Sequence, residues 1–154
     1  MQAVASKKTV FRYLDILEKL LLAKVLYFIE PDEASFNYSK QRKVHLTDPL
    51  VYSAMASWCM TERPDDSVLA ESIVASTLSK HLETGYWSNS REVDIVAKSN
   101  RGRELLGLEV KYRHHVSPLH LSVGRMKNVL TLSRLDFEPE RSVIPVSIFL
   151  ALLP

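Results

Sequence analysis

The chain has 154 residues, 46% apolar and 25% charged, a globular balance that argues against disorder and points to one ordinary domain or two very small ones. Four glycines, with no G-x-x-x-x-G-K-[ST] or G-x-G-x-x-G run, exclude a self-contained nucleotide-binding domain, and the single Cys59 excludes an intramolecular disulfide. The formal charge of +2 divides into +3 over residues 1–47, −4 over 48–84 and +3 over 85–154, an order that suits nucleic acid at both ends or plain solvated surface.

The N-terminus carries no apolar h-region. The longest apolar stretch, Val143–Leu153, is broken by Pro145 and Ser147 and is too short to span a bilayer, so the expected setting is cytoplasmic, without membrane contact.

In chain order, Ser6 is placed to cap a helix whose Val10, Leu14, Leu17 and Leu21 recur at helical spacing. Val25–Ile29 reads as a strand, Pro31-Asp32-Glu33 as a turn and Val44–Leu46 as the return strand, with Lys40-Gln41-Arg42-Lys43 as the basic tip of the hairpin. Helix followed by hairpin is the order of the second half of a winged helix. Leu50–Cys59 predicts a short helix, and Arg63-Pro64-Asp65-Asp66 breaks it and caps a longer one over Ser67–Glu83, ending near Gly85. The period then shifts towards two. Strands are predicted from Tyr86-Trp87, over Glu92–Ala97, and over Glu104–Lys111 after a turn at Ser99-Asn100-Arg101-Gly102. A short helix is expected near Pro118, then strands over Asn128–Ser133 and Val143–Leu150.

The chemistry lies in the middle strands. In Glu104–Lys111, Leu106, Leu108 and Val110 share one face and Glu109 and Lys111 the other; in Glu92–Ala97, Asp94 stands opposite Val93 and Ile95. Pairing with these faces aligned brings Asp94, Glu109 and Lys111 together. On the helical wheel Glu71 sits among Val74, Ala75, Leu78 and Leu82, where a carboxylate is costly unless neutralised, paired or metal-bound. A helix packed on the sheet with Glu71 facing Asp94 and Glu109 satisfies all four. Carboxylates beside a lysine suit metal-assisted phosphodiester hydrolysis: Mg²⁺ takes carboxylate oxygens and activates a water, while the lysine orients that water or stabilises the transition state. The alternative is an ordinary exposed cross-strand pair of Glu109 and Lys111.

Glu71-Ser72-Ile73-Val74, Tyr86-Trp87, Glu92-Val93-Asp94-Ile95-Val96 and Leu108-Glu109-Val110-Lys111 together resemble the PD-(D/E)xK restriction-endonuclease-like superfamily, and more closely the C-terminal domain of a group of archaeal and bacterial AAA-type ATPases. The likeness extends to Ser6–Leu14, similar to that family's helix-turn-helix recognition helix, to Lys43-Val44-His45-Leu46-Thr47-Asp48-Pro49 after its wing, and to Pro145–Leu150 as its closing strand. It implies an α/β fold: a partial winged helix-turn-helix over 1–60, then a restriction-endonuclease-like core (helix, three-stranded meander, further strands) over 61–154. It also implies Asp94 and Glu109 as Mg²⁺ ligands, Lys111 as the catalytic lysine and Glu71 as an accessory acid and ligand. No ATPase part and no first helices of the winged helix precede it, so a fragment or split gene product is expected. The segment after Lys111 is short for the family's second core helix.

Lys7, Lys8, Thr9 and Arg12 are candidate DNA contacts as on a recognition helix, and Lys40, Arg42 and Lys43 as a wing tip; a solvated helix end and a charged turn are the alternatives. Arg113, His114 and His115 read as exposed loop, Trp87 as core, and Trp58 and Cys59 as packing. The histidines show no zinc spacing. The expected function is a DNA-binding, nuclease-like module acting with Mg²⁺ beside an AAA-type ATPase. The alternatives are a non-catalytic accessory domain of such an ATPase, or a homodimerisation module covering the apolar surface of the incomplete winged helix.

Overall fold

A computed structural model describes residues 6–98 and 104–153. The elements are α1 Lys7–Lys19, β1 Ala23–Glu30, β2 Ser35–Leu46, α2 Pro49–Cys59, α3 Asp66–Leu78, β3 Glu83–Ser88, β4 Glu92–Lys98, β5 Leu105–Lys111, β6 Met126–Ser133, a 3₁₀ turn at Pro139–Arg141, β7 Val143–Pro145 and α4 Val146–Ala151. The strands form one mixed sheet in the order β2-β1-β3-β4-β5-β6-β7, an α/β architecture. The turn expected at Ser99–Gly102 lies outside the described residues.

The helix starts follow from their caps. The Ser6 side chain accepts from the Thr9 N–H, Asp48 from Leu50 with Pro49 in the first turn, and Asp65 from Ser67 and Val68. The stops are harder to foresee. α3 ends at Leu78, short of the expected Glu83, and Gly85 is a strand residue rather than a helix terminator. A Cβ at Gly85 would run into the Tyr27 carbonyl oxygen and the Ile29 side chain, so glycine is there to let β3 close against β1.

Pro31–Ala34 closes the β1–β2 hairpin, with Ala34 held at φ 53°. The Lys40–Lys43 stretch is therefore not its tip, as expected, but part of β2. The register jumps from Tyr27↔Arg42 to Phe28↔Asn37, which expels Tyr38, Ser39, Lys40 and Gln41 from the ladder as a bulge. β1 also pairs in parallel with β3, Tyr27↔Gly85 and Phe28↔Tyr86. Through this pairing the hairpin of residues 1–60 and the strands of 61–154 share one sheet and one core, in which Leu26, Phe28 and Ile29 join Val74, Leu78, Ile95 and Leu108.

β3, β4 and β5 form an antiparallel meander, and β6 and β7 add in parallel. Residues 112–125 cross from β5 to β6 without the expected helix. The single strand expected over Val143–Leu150 divides at Pro145, which has no N–H to continue a ladder; Val146 and Phe149 then bury one side of α4. Trp87 is core, whereas Trp58 is 84% exposed at the end of α2 and Cys59 is also exposed, against the expected packing role. Among the described residues, no helix is long and apolar enough to cross a membrane.

Candidate functional site

Three elements carry the acids. α3 lies on the sheet with Val74, Ala75 and Leu78 buried, and this places Glu71 over β4, its side chain only 20% exposed. The β4–β5 ladder closes at Ile95↔Leu108, which sets Asp94 and Glu109 on the next rung, where the strands part. There the Asp94 Oδ2 accepts the Val110 N–H at 2.8 Å, so a side chain takes the place of a backbone acceptor. Lys111, two residues beyond Glu109 on the same face, holds its Nζ 3.9 Å from Glu109 Oε1 and 3.5 Å from the Ser117 carbonyl oxygen. Glu71 and Glu109 thus each lie within electrostatic reach of Asp94, and Lys111 lies against Glu109.

A fifth residue sits among them. Lys43 of β2 donates to Glu71 Oε1 at 3.1 Å and to Asp94 Oδ1 at 3.3 Å, and its ammonium also pairs with Glu92 Oε1. Its ammonium lies 5.8 Å from the centre of the Tyr86 ring. Burial works against a charge at this point, but the hydrogen bond to Glu92 and the charges of Glu71 and Asp94 outweigh it and hold Lys43 above its ordinary pKa. Lys43 was expected to be free for phosphate contact; three carboxylates engage it instead.

Burial and the neighbouring Asp94 push the Glu71 carboxyl up, with Lys43 opposing. The same two causes push Glu109 further, to about 7, because its counter-ions are more distant and its Oε2 is buried with no hydrogen-bond partner among the described residues. Behind Glu71 runs a hydrogen-bond chain. The Leu46 N–H donates to Tyr52 Oη at 3.2 Å, the Tyr52 hydroxyl shares a hydrogen bond with Ser72 Oγ at 2.7 Å, and Ser72 Oγ shares one with His45 Nδ1 at 3.1 Å. His45 Nε2 stands 3.6 Å from Glu71 Oε1 without a closer partner among the described residues. Burial and the Lys43 charge lower His45 to about 4, so the ring is neutral at pH 7.

The expected DNA contacts lie elsewhere. Arg42 and Lys43 alternate across β2: Arg42 stacks 4.0 Å over Phe11 of α1 and 4.8 Å over Tyr27, while Lys43 turns to α3. Lys7, Lys8, Thr9 and Arg12 are exposed on α1, across the hairpin from the acids, and Thr9 is tied into the Ser6 cap. Lys40 stays beside the acids. The bulge sets it 4.7 Å over Phe28, at a polar depression of about 280 Å³ that also includes Lys43, Tyr86, Ser88 and Glu92.

Reading the residues alone missed Lys43, Glu92, His45 and Ser72 as parts of this cluster. The available signal was the alternation Lys43-Val44-His45-Leu46, which puts a lysine and a histidine on one face of a strand.

Hard carboxylate oxygens, one of them buried and unpaired, are the donors a Mg²⁺ ion takes. The donor chemistry fits; the arrangement is drawn around an ammonium. Among the described residues, no three Asp, Glu, His or Cys groups stand close enough to share one metal ion. No family model, curated protein or solved structure matches the chain.

Proposed function

We propose that the chain is a DNA-binding, nuclease-like domain of the PD-(D/E)xK type. The observation that carries this reading is that Glu71 and Glu109 flank Asp94 where β4 and β5 part, with Lys111 against Glu109. A Mg²⁺ ion, when bound, would supply Lewis-acid stabilisation and an activated water, and Glu71, Asp94 and Glu109 would have to draw together around it from the positions they hold here. The chain's own residues do the rest. The Val110 N–H fixes the Asp94 carboxylate, the Tyr52–Ser72–His45 chain backs Glu71, and Lys111 offers an ammonium to the developing negative charge. Glu109, with a pKa raised to about 7, can hold or release a proton near neutrality. Lys40 at the rim provides a phosphate contact beside the acids.

The test is Mg²⁺- or Mn²⁺-dependent DNA cleavage by wild type, Lys111→Ala and Asp94→Ala. Loss of at least a hundredfold in both variants supports the reading; equal cleavage by all three refutes it.

A second reading, a non-catalytic module that docks on an AAA-type ATPase chain or on a second copy, draws on the surface. Tyr13, Leu20 and Leu21 near or on α1 and Leu50, Trp58 and Met60 near or on α2 are exposed, and a groove of about 830 Å³ joins the end of α1 to the start of α2. A chain that binds DNA or a partner and cleaves nothing in either metal would favour it.

A further inference from the structure

The nuclease reading uses the side of the β1–β2 hairpin that faces α3, and the other side carries a pattern of its own. Arg42 alternates with Lys43 along β2 and so points away from α3. Its guanidinium lies 4.0 Å from the centre of the Phe11 ring and 4.8 Å from that of Tyr27. The Tyr27 ring meets Tyr38 edge-on at 4.8 Å, Tyr38 stands 6.3 Å from Phe36, and the Lys98 ammonium lies 5.9 Å from the Phe36 ring. Three neighbouring rings are thus held with a cation at each end of the row. The β2 bulge makes this possible, because it takes Tyr38 off the ladder and leaves its ring against Tyr27.

The three rings are not alike. Tyr27 and Phe36 are half-buried and pack the hairpin, whereas Tyr38 is 62% exposed. Beside them is a cavity of about 470 Å³, whose far wall is Lys80, His81 and Leu82 in the turn from α3 to β3. That volume lies within the range of small-ligand sites. The charge around it is unbalanced. Lys24 is offset by Glu18 at 3.5 Å and Lys98 by Glu83 at 3.2 Å, but Arg42 and Lys80 pair with no carboxylate among the described residues.

We propose that this face is a nucleic-acid platform separate from the acids: the bases of a single strand stack on Tyr38 and its neighbouring rings, while Arg42 and Lys80 hold the phosphates. It stands without the nuclease reading. A ring face accepts a base of any identity, but only one that has left the duplex, where neighbouring pairs cover both of its faces. Cations interleaved with rings meet both parts of such a strand, the backbone and the bases. An acidic peptide would use the cations and leave the rings idle.

The experiment measures binding of a labelled oligothymidylate of about 12 nucleotides to the full chain by fluorescence anisotropy, in EDTA so that cleavage plays no part. Tyr38→Ala should bind about tenfold more weakly than wild type, and Tyr38→Phe, which keeps the ring, should bind as wild type does. A duplex of the same length should bind more weakly than the single strand and be indifferent to Tyr38→Ala. Equal affinity of Tyr38→Ala and wild type for the single strand overturns the proposal, as does a duplex bound as tightly as the strand, or no binding of the strand at all. Each of these results leaves the cleavage test of the acids untouched. Should Tyr38→Ala fold poorly, Lys80→Ala in its exposed turn decides: the slope of log affinity against log salt should fall by about one, and an unchanged slope overturns the proposal.

Discussion

Replacing Glu109 by Gln keeps the shape of the side chain and removes only its ionisation. In the fold, burial and the Asp94 charge raise this carboxyl from 4.5 to about 7. The folded protein therefore holds the proton more tightly than the unfolded chain does, and ionisation costs stability. Each unit of pKa is worth about 1.4 kcal/mol, so wild type carries a penalty of about 3 kcal/mol above pH 7. The penalty is absent below pH 4.5, where the group is protonated in both states, and grows between 4.5 and 7. Glu109→Gln never has it. Urea denaturation in EDTA should find the two proteins within about 1 kcal/mol of each other at pH 5, and the variant more stable by about 3 kcal/mol at pH 8. A difference that stays the same at both pH values would mean that Glu109 is not held in a desolvated, acid-crowded site, and would refute the reasoning.

Other perturbations test separate parts of the structure. Ser72→Ala breaks the link between Tyr52 and His45 and leaves both without their buried partner, a loss of about 1–3 kcal/mol in urea denaturation at pH 7. Gly85→Ala drives a methyl group into the Tyr27 carbonyl oxygen and should cost about 2 kcal/mol or more, seen as a lower thermal midpoint; an unchanged midpoint would show that β1 and β3 do not close as described. Lys40→Ala should weaken DNA binding about equally for all sequences and reduce the slope of log affinity against log salt by about one, measured by fluorescence anisotropy.

Local signals in the sequence were read well because their chemistry is local. Ser6, Asp48 and Asp65 cap helices through atoms two or three residues away, so their side chains declare the helix starts. Strand alternation assigns Asp94 and Glu109 to faces of their strands, and the Ile95↔Leu108 register then sets them on one rung. What failed was non-local or ambiguous. An apolar run such as Val143–Leu150 has no period that separates strand from helix, and only the packing of Val146 and Phe149 selects the helix beyond Pro145. Gly85 looked like a helix terminator because the approach of Tyr27, distant in sequence, cannot be read from its neighbours. Lys43 was assigned to a hairpin tip for the same reason: neither the four-residue bulge nor the β1–β3 pairing that brings β2 over Glu71 and Asp94 is written in any short window.

The same bulge affects how the molecule behaves among copies of itself. β2 is one margin of the sheet, and a twelve-residue margin with free backbone groups is a template on which another chain could lay a strand. Expelling Tyr38–Gln41 interrupts that template and puts Lys40 in the gap. At the opposite margin β7 has three residues, ends in a proline, and exchanges backbone hydrogen bonds with Glu138. Neither side of the sheet presents a long unbroken row of donors and acceptors. Fibrous or strand-swapped association is thereby disfavoured at both ends.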